Sequence, residues 1–111
     1  MEEWKDITGY PRYMVSNTGK VWSKYLKRTL KTEVSHRGYV RCMLTNGGDS
    51  KIKVSVHRLV ADHFIPNPEN KPTVNHKNKD KLNNHIYNLE WCTYPEQIQH
   101  RDNKIKNIPT V

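Results

Sequence analysis

Between Val74 and His100 the chain reads VNHKNKDKLNNHIYNLEWCTYPEQIQH, crowded with side chains that can bind a cation or move a proton. Asn75 and His76 close one apolar-polar alternation, Thr73-Val74-Asn75-His76, and a second, Leu89-Glu90-Trp91-Cys92-Thr93, follows a loop rich in Asn and Lys. Two such runs around a loop predict a β-hairpin. Thr93-Tyr94-Pro95-Glu96 then has the spacing of a capping box, in which a hydroxyl accepts from the free amides of a first helical turn and the Glu reaches back. A helix is expected from near Pro95. The order strand, loop, strand, helix brings Asn75 and His76, at one strand's end, toward Gln97 and His100 on the helix. Amide oxygens and imidazole nitrogens converging in this way suit a divalent cation and a general base.

Further motifs lie upstream: Val56-His57-Arg58-Leu59-Val60-Ala61, and before it Trp4-Lys5-Asp6-Ile7, Gly9-Tyr10-Pro11 and Val15-Ser16-Asn17-Thr18-Gly19. With these, the stretch resembles the ββα-metal finger of HNH endonucleases, in the version carried by phage and intron homing endonucleases. The N-terminal residues resemble the nuclease-associated modular DNA-binding (NUMOD) motif that accompanies such enzymes. The resemblance runs over nearly the whole chain, in the family's order. It implies an α+β fold, a small N-terminal antiparallel β lobe followed by a ββα-metal (His-Me) finger. The expected partition is a β-rich DNA-binding motif over residues 1–55, a nuclease domain over 56–104 and a frayed tail over 105–111. The implied activity is metal-dependent hydrolysis of phosphodiester bonds in double-stranded DNA, by nicking or cutting, in a protein of phage or mobile-element type. The alternative is a DNA-binding protein that keeps the scaffold and no longer cleaves.

Phosphodiester hydrolysis needs a nucleophile, neutralisation of charge on the phosphorane and help for the departing 3′ oxygen. The resemblance assigns the general base to His76, a metal ligand to Asn75 and a loop-positioning role to Asn88. It takes the second ligand from the helix, where Gln97 aligns with the usual Asn and His100, at i+3, shares its face. Here the chain departs from the family. Gln97 carries its amide on a longer arm, and Asn75 is neutral where many relatives have Asp. Neutral ligands hold Mg²⁺ weakly, because anionic oxygen supplies most of the attraction for a hard cation. Mg²⁺ is the first expectation, Mn²⁺ or another transition ion favoured by His100 the second, with DNA phosphate completing the site. Glu96 reads as a helix cap.

The formal charge of +8 and a pI near 9.6 favour a polyanionic partner. Three groups of cations are candidate DNA contacts. Lys27, Arg28 and Lys31 fall in the cationic run Lys24–Lys31, which reads equally as an edge strand blunted by lysines. Arg41, Lys51 and Lys53 fall on the outer face of a hairpin from Tyr39 to Val56, whose inner face is Val40, Cys42, Leu44, Ile52, Val54 and Val56. Lys77, Lys79 and Lys81 adjoin His76.

The remaining elements must position these groups. Asn17-Thr18-Gly19-Lys20 predicts a tight hairpin between Met14-Val15-Ser16 and Val21-Trp22-Ser23. Leu59, Val60, Phe64 and Ile65 are spaced for one face of a helix over His57–Ile65, stopped by Pro66-Asn67-Pro68. His57 and His63 read as hydrogen-bonded structural histidines, His36 and His85 as loop residues, and Asn83 and Asn84 as pins of the loop. Trp91 and Leu89 are assigned to packing under the finger, Trp4 and Trp22 to an N-terminal core. Cys42 and Cys92 lack the spacing of a zinc ribbon or a disulfide framework and read as buried hydrophobes. With 34% hydrophobic residues and mean hydropathy −0.95, no window approaches a membrane span, and Met1-Glu2-Glu3-Trp4 is not a signal peptide. A cytoplasmic location is expected, in the host if the gene is phage-borne. Relatives of this type often carry a further helical DNA-reading segment after the finger, and none is expected here, so weak or short-site specificity is expected unless the protein dimerises or has a partner.

Overall fold

The computed structural model describes residues 1–48 and 50–100 together with the backbone of 101–106. The expected frayed tail over 105–111 therefore lies largely outside the described residues. An antiparallel sheet of β1 (Trp4–Ile7), β2 (Tyr10–Ser16), β3 (Val21–Ser23) and β4 (Arg28–Thr29) opens the chain. A second follows, in which β5 (Glu33–Val34), β6 (Val40–Thr45) and β7 (Lys51–Ser55) pair in order. Helix α1 (Val56–Phe64) leads to the pair β8 (Thr73–His76) and β9 (Leu89–Cys92), and α2 (Tyr94–Lys106) comes last. The expected α+β fold class is found. A single 3-10 turn, Ile86–Asn88, sits between the last two strands.

Helix α1 touches all three sheets. Its apolar stripe, Val56, Leu59, Val60 and Ala61, is buried against Ile7, Tyr13, Val15 and Val21 of the first sheet, Cys42 and Leu44 of the second, and Val74 and Leu89 of the finger. One core thus spans both halves of the chain. A lobe of roughly 50 residues buries too little surface to be stable alone, and sharing α1 relieves both lobes of that limit.

The β6–β7 register pairs Cys42 with Val54 and Leu44 with Ile52, so these four share a face as the alternation predicts, although Ile52, near the hairpin end, stays 46% exposed. Val56 is buried from the first position of α1 and not from the strand. The run Lys24–Lys31 departs from an edge strand: residues 24–27 turn, with Lys27 at φ 56°, and only Arg28–Thr29 pairs. Trp22 also departs from its expected place. On β3, Val21 and Ser23 face inward, so the intervening Trp22 is turned to the other face, and neither it nor Trp4 belongs to the core cluster. Trp91 does pack against that cluster, its indole N–H donating to the Ile65 carbonyl at 3.0 Å. Both thiols are buried, and burial pushes Cys42 up to about 11.

Candidate active site

The β8–β9 register sets Asn75 opposite Glu90 and His76 opposite Leu89. Immediately after His76 the strand ends in a tight turn: the Lys79 amide donates to the His76 carbonyl at 2.9 Å, and Lys79 takes a φ of 65°. That ending lets two consecutive strand residues border one hollow. Asn75 and His76, both buried, line a cavity of about 420 Å³ with Gln97 and His100 of α2. The other rim carries Lys79, Lys81, Arg37 and Tyr39.

His76 is held at one ring nitrogen. Its Nε2 lies 2.7 Å from Oδ1 of the buried Asn84. An amide oxygen only accepts, so Nε2 carries the proton and Nδ1 keeps a free lone pair. Burial lowers the His76 pKa below its ordinary value, opposed by the Asn84 bond and Asp80 and assisted by the Lys81 charge. A neutral imidazole at pH 7 follows, which is the form a base requires.

Asn88 ties the loop together. Its Oδ1 accepts from the Asn78 amide at 3.1 Å, its Nδ2 donates to the Asn83 carbonyl at 2.9 Å, and its own carbonyl accepts from the Lys77 amide at 2.7 Å. At the tip of the β2–β3 hairpin, Gly19 lies against Asn84. With φ +95° it occupies the left-handed region, and a Cβ there would come within 3.0 Å of the Asn84 Cβ. The N-terminal hairpin therefore backs the residue that holds His76. The Asn17 carbonyl also accepts from the Ile86 amide at 2.8 Å.

The potential metal donors are amides and one imidazole. Asn75 Nδ2 donates to Glu90 Oε1 at 3.1 Å, which leaves Asn75 Oδ1 unused by that pairing. His100 Nε2 is buried with no hydrogen-bond partner among the described residues. A buried nitrogen left so is costly unless something satisfies it, and a cation between it and the amide oxygens of Asn75 and Gln97 would. The donor set therefore fits a divalent ion, with no carboxylate in it. No cluster of three or more His, Cys, Asp or Glu side chains suited to a metal occurs among the described residues. Glu96 is engaged elsewhere: its amide donates to Thr93 Oγ1 at 3.2 Å while its Oε1 accepts from the Thr93 amide at 2.9 Å, the expected capping box.

The candidate DNA cations divide. Lys79 and Lys81 border the cavity, whereas Lys77 borders a different hollow with Pro66, Glu90 and Trp91. Lys81 is tethered to protein, donating to the Arg37 carbonyl at 2.9 Å and lying 4.6 Å above the Tyr39 ring. Arg41 and Lys53 share one carboxylate, Glu33, at 2.9 and 3.1 Å, so the outer face of β6–β7 is less basic than its strands alone imply. Lys27, Arg28, Lys31 and Lys51 are exposed, away from the cavity lining.

Sequence reasoning passed over three neighbours of His76. Asn84 was one of several loop asparagines. Tyr39 comes from the β5–β6 connection, and His57 stacks on Tyr39 and lies tilted against His76. The expected hydrogen-bonded role of His57 is not found at Nδ1, which has no partner among the described residues. His63 does match it: Nδ1 meets the Leu59 carbonyl at 2.8 Å and Nε2 accepts from the Thr8 amide at 3.0 Å.

Comparison with known proteins agrees with this geometry. Residues 2–45 match the NUMOD4 motif and residues 54–99 match the HNH endonuclease model. The chain is 44% identical over 100 residues to DNA endonuclease I-HmuI of Bacillus phage SP01, covering 89% of this chain and 57% of that protein. It is 38% identical over 99 residues to the uncharacterised HNH endonuclease L245 of Acanthamoeba polyphaga mimivirus, covering 89% of this chain and 30% of the relative. A solved structure of the HNH homing endonuclease I-HmuI, described for its DNA binding and cleavage, superposes with a TM-score of 0.82 at 41% identity, over 98% of this chain and 62% of that one. The chain thus spans 30% and 57% of the length of these two curated relatives. Among the described residues no helix is long and apolar enough to cross a membrane. With both motifs matched in order and the fold shared across almost all of its residues, the chain joins a NUMOD4 motif to an HNH endonuclease motif and is similar throughout to HNH homing endonucleases.

Proposed function

We propose that this chain hydrolyses phosphodiester bonds of duplex DNA, with His76 as general base. The observation that carries the reading is the state of His76: buried, neutral, bonded through Nε2 to Asn84, and lining a cavity rimmed by cations.

His76 Nδ1 takes the proton from an attacking water, while Asn84 keeps the ring in the tautomer that can do so. Asn88 holds the loop that carries both. Lys79 attracts the backbone phosphate to the cavity mouth. The HNH family generally uses a divalent metal, which when bound polarises the phosphoryl oxygen and stabilises the leaving oxygen. Asn75 Oδ1, Gln97 Oε1 and His100 Nε2 are the residues that would hold it. Mg²⁺ is the first choice, and the imidazole donor makes Mn²⁺ or another transition ion the second. With every protein donor neutral, the DNA phosphate supplies the anionic oxygen, so metal and substrate bind together. Residues 1–55 are read as the DNA-binding motif and 56–104 as the nuclease domain.

The neutral donor set also favours a second reading, a DNA-binding protein that no longer cleaves. Conversion of supercoiled plasmid to nicked and linear forms in Mg²⁺, Mn²⁺, Ni²⁺ or EDTA separates the two. Metal-dependent conversion lost in His76→Ala, with DNA binding kept, is expected. Plasmid bound but intact in every metal would establish the second reading.

A further inference from the structure

His57 has no part in the chemistry above, yet it lies against its centre. As the second residue of α1 it sets its ring against two others. Its centroid is 4.9 Å from that of His76, the planes tilted by 43°, and 5.1 Å from that of Tyr39, the planes nearly parallel at 21°. Tyr39 and His76 are themselves 6.1 Å apart. The three rings come from the β5–β6 connection, α1 and β8, so three separate elements meet in one triangular cluster of rings.

His57 does not use its polarity there. Nδ1 is buried without a hydrogen-bond partner among the described residues, a cost that a phenyl or aliphatic side chain would avoid. Burial, with the charges of His76 and Arg58, pulls its pKa down to about 4, so no charge is present at pH 7. What it presents to His76 is an uncharged ring, held at 43° to the His76 plane. A single bond at Nε2 anchors one edge of the His76 ring and leaves the tilt of its plane free. A ring packed on that plane removes the remaining freedom.

We infer that His57 is a positioning residue, a flat ring that sets the tilt of the His76 plane so that Nδ1 stays aimed into the cavity. This rests on reading His76 as the base. A residue that merely filled space would affect stability alone.

Wild type, His57→Ala, His57→Phe and His57→Gln are compared by single-turnover plasmid nicking, by DNA affinity and by ¹⁵N spectra of the His76 ring in metal-free protein. His57→Ala is expected to bind DNA within about twofold of wild type and to cut roughly 10–100-fold more slowly, the scale of a small misplacement of a reacting group. His57→Phe should recover most of that rate and His57→Gln little. The His76 ring should keep the Nε2–H tautomer that Asn84 imposes in every variant, with sharp ring signals in wild type and in His57→Phe and exchange-broadened signals in His57→Ala. Nicking by His57→Ala at the wild-type rate would overturn the inference, as would recovery by Gln and not Phe. If His57→Ala does not fold, Phe against Gln carries the comparison, since both fill the space and only one is flat. If wild type cuts no DNA, the nuclease reading fails, and the ring spectra still decide the role of His57.

Discussion

Nε2 of His76 and Oδ1 of Asn84 lie 2.7 Å apart, both residues buried, eight positions apart along a loop that doubles back to bring them together. The contact makes Asn84 as informative a target as the proposed base itself. Asn84→Ala frees the tautomer and should cut the turnover rate by roughly 10–100-fold with little change in DNA affinity. Asn84→Asp places a negative charge on Nε2–H, favours the imidazolium and moves the acid limb of the pH–rate profile to higher pH. In wild type that limb should lie below the ordinary imidazole value, because burial lowers the His76 pKa. A pH–rate series on the two variants checks both shifts.

Metal affinity distinguishes the helix donors. If Gln97 coordinates, Gln97→Asn should change Mn²⁺ affinity measured calorimetrically in the presence of DNA, and His100→Ala should leave the order of metal preference intact. If His100 coordinates, His100→Ala should abolish any preference for transition ions over Mg²⁺. Glu90→Gln removes the carboxylate that polarises the Asn75 amide and should weaken binding several-fold, the effect of a supporting group beyond the direct ligands.

Lys79 and Lys77 are two residues apart and border different hollows. Lys79→Ala should reduce the slope of log affinity against log salt by about one, the signature of one lost phosphate contact. Lys77→Ala should change that slope by less. Titrations of binding at several salt concentrations give both slopes.

The buried imidazoles make stability depend on pH. The His57 pKa falls from 6.5 unfolded to about 4 folded, so between these values the unfolded chain binds more protons. Its contribution is fully present above pH 6.5 and is lost as pH falls through 4. The loss amounts to about 3 kcal/mol at one pKa unit per 1.36 kcal/mol, with His76 adding in the same direction. Urea unfolding at pH 7 and pH 4 should show this drop, and His57→Phe should remove most of it.

What could be read from the sequence was local. The β8–β9 pair and the capping box of Thr93 and Glu96 depend on residues a few positions apart, and both formed as the pattern required. The partners of His76 depend on the path of the chain. Asn78, Asn83, Asn84 and Asn88 are alike in the sequence, and only the folded loop, pressed by Gly19, decides which reaches the ring. Tyr39 and His57 carry no periodic signal for meeting one another, since the contact follows from how α1 crosses the second sheet. Trp22 was misplaced for a related reason: its size suggested burial, and strand parity put Val21 and Ser23 inside instead.

The contacts between Gly19 and Asn84, Arg37 and Lys81, and Tyr39 and His57 all cross the gap between residues 45 and 54, where the two matched segments meet. That gap looks like a natural breakpoint for gene shuffling. A crossover there would give the downstream half a foreign hairpin tip and a foreign aromatic, unfitted to the asparagine and histidine beside His76. Recombinants joined at that seam should inherit both motifs and still lose turnover, unless the residues at 19, 37 and 39 travel with the downstream half. For turnover, the two motifs, separable on paper, are then a single unit.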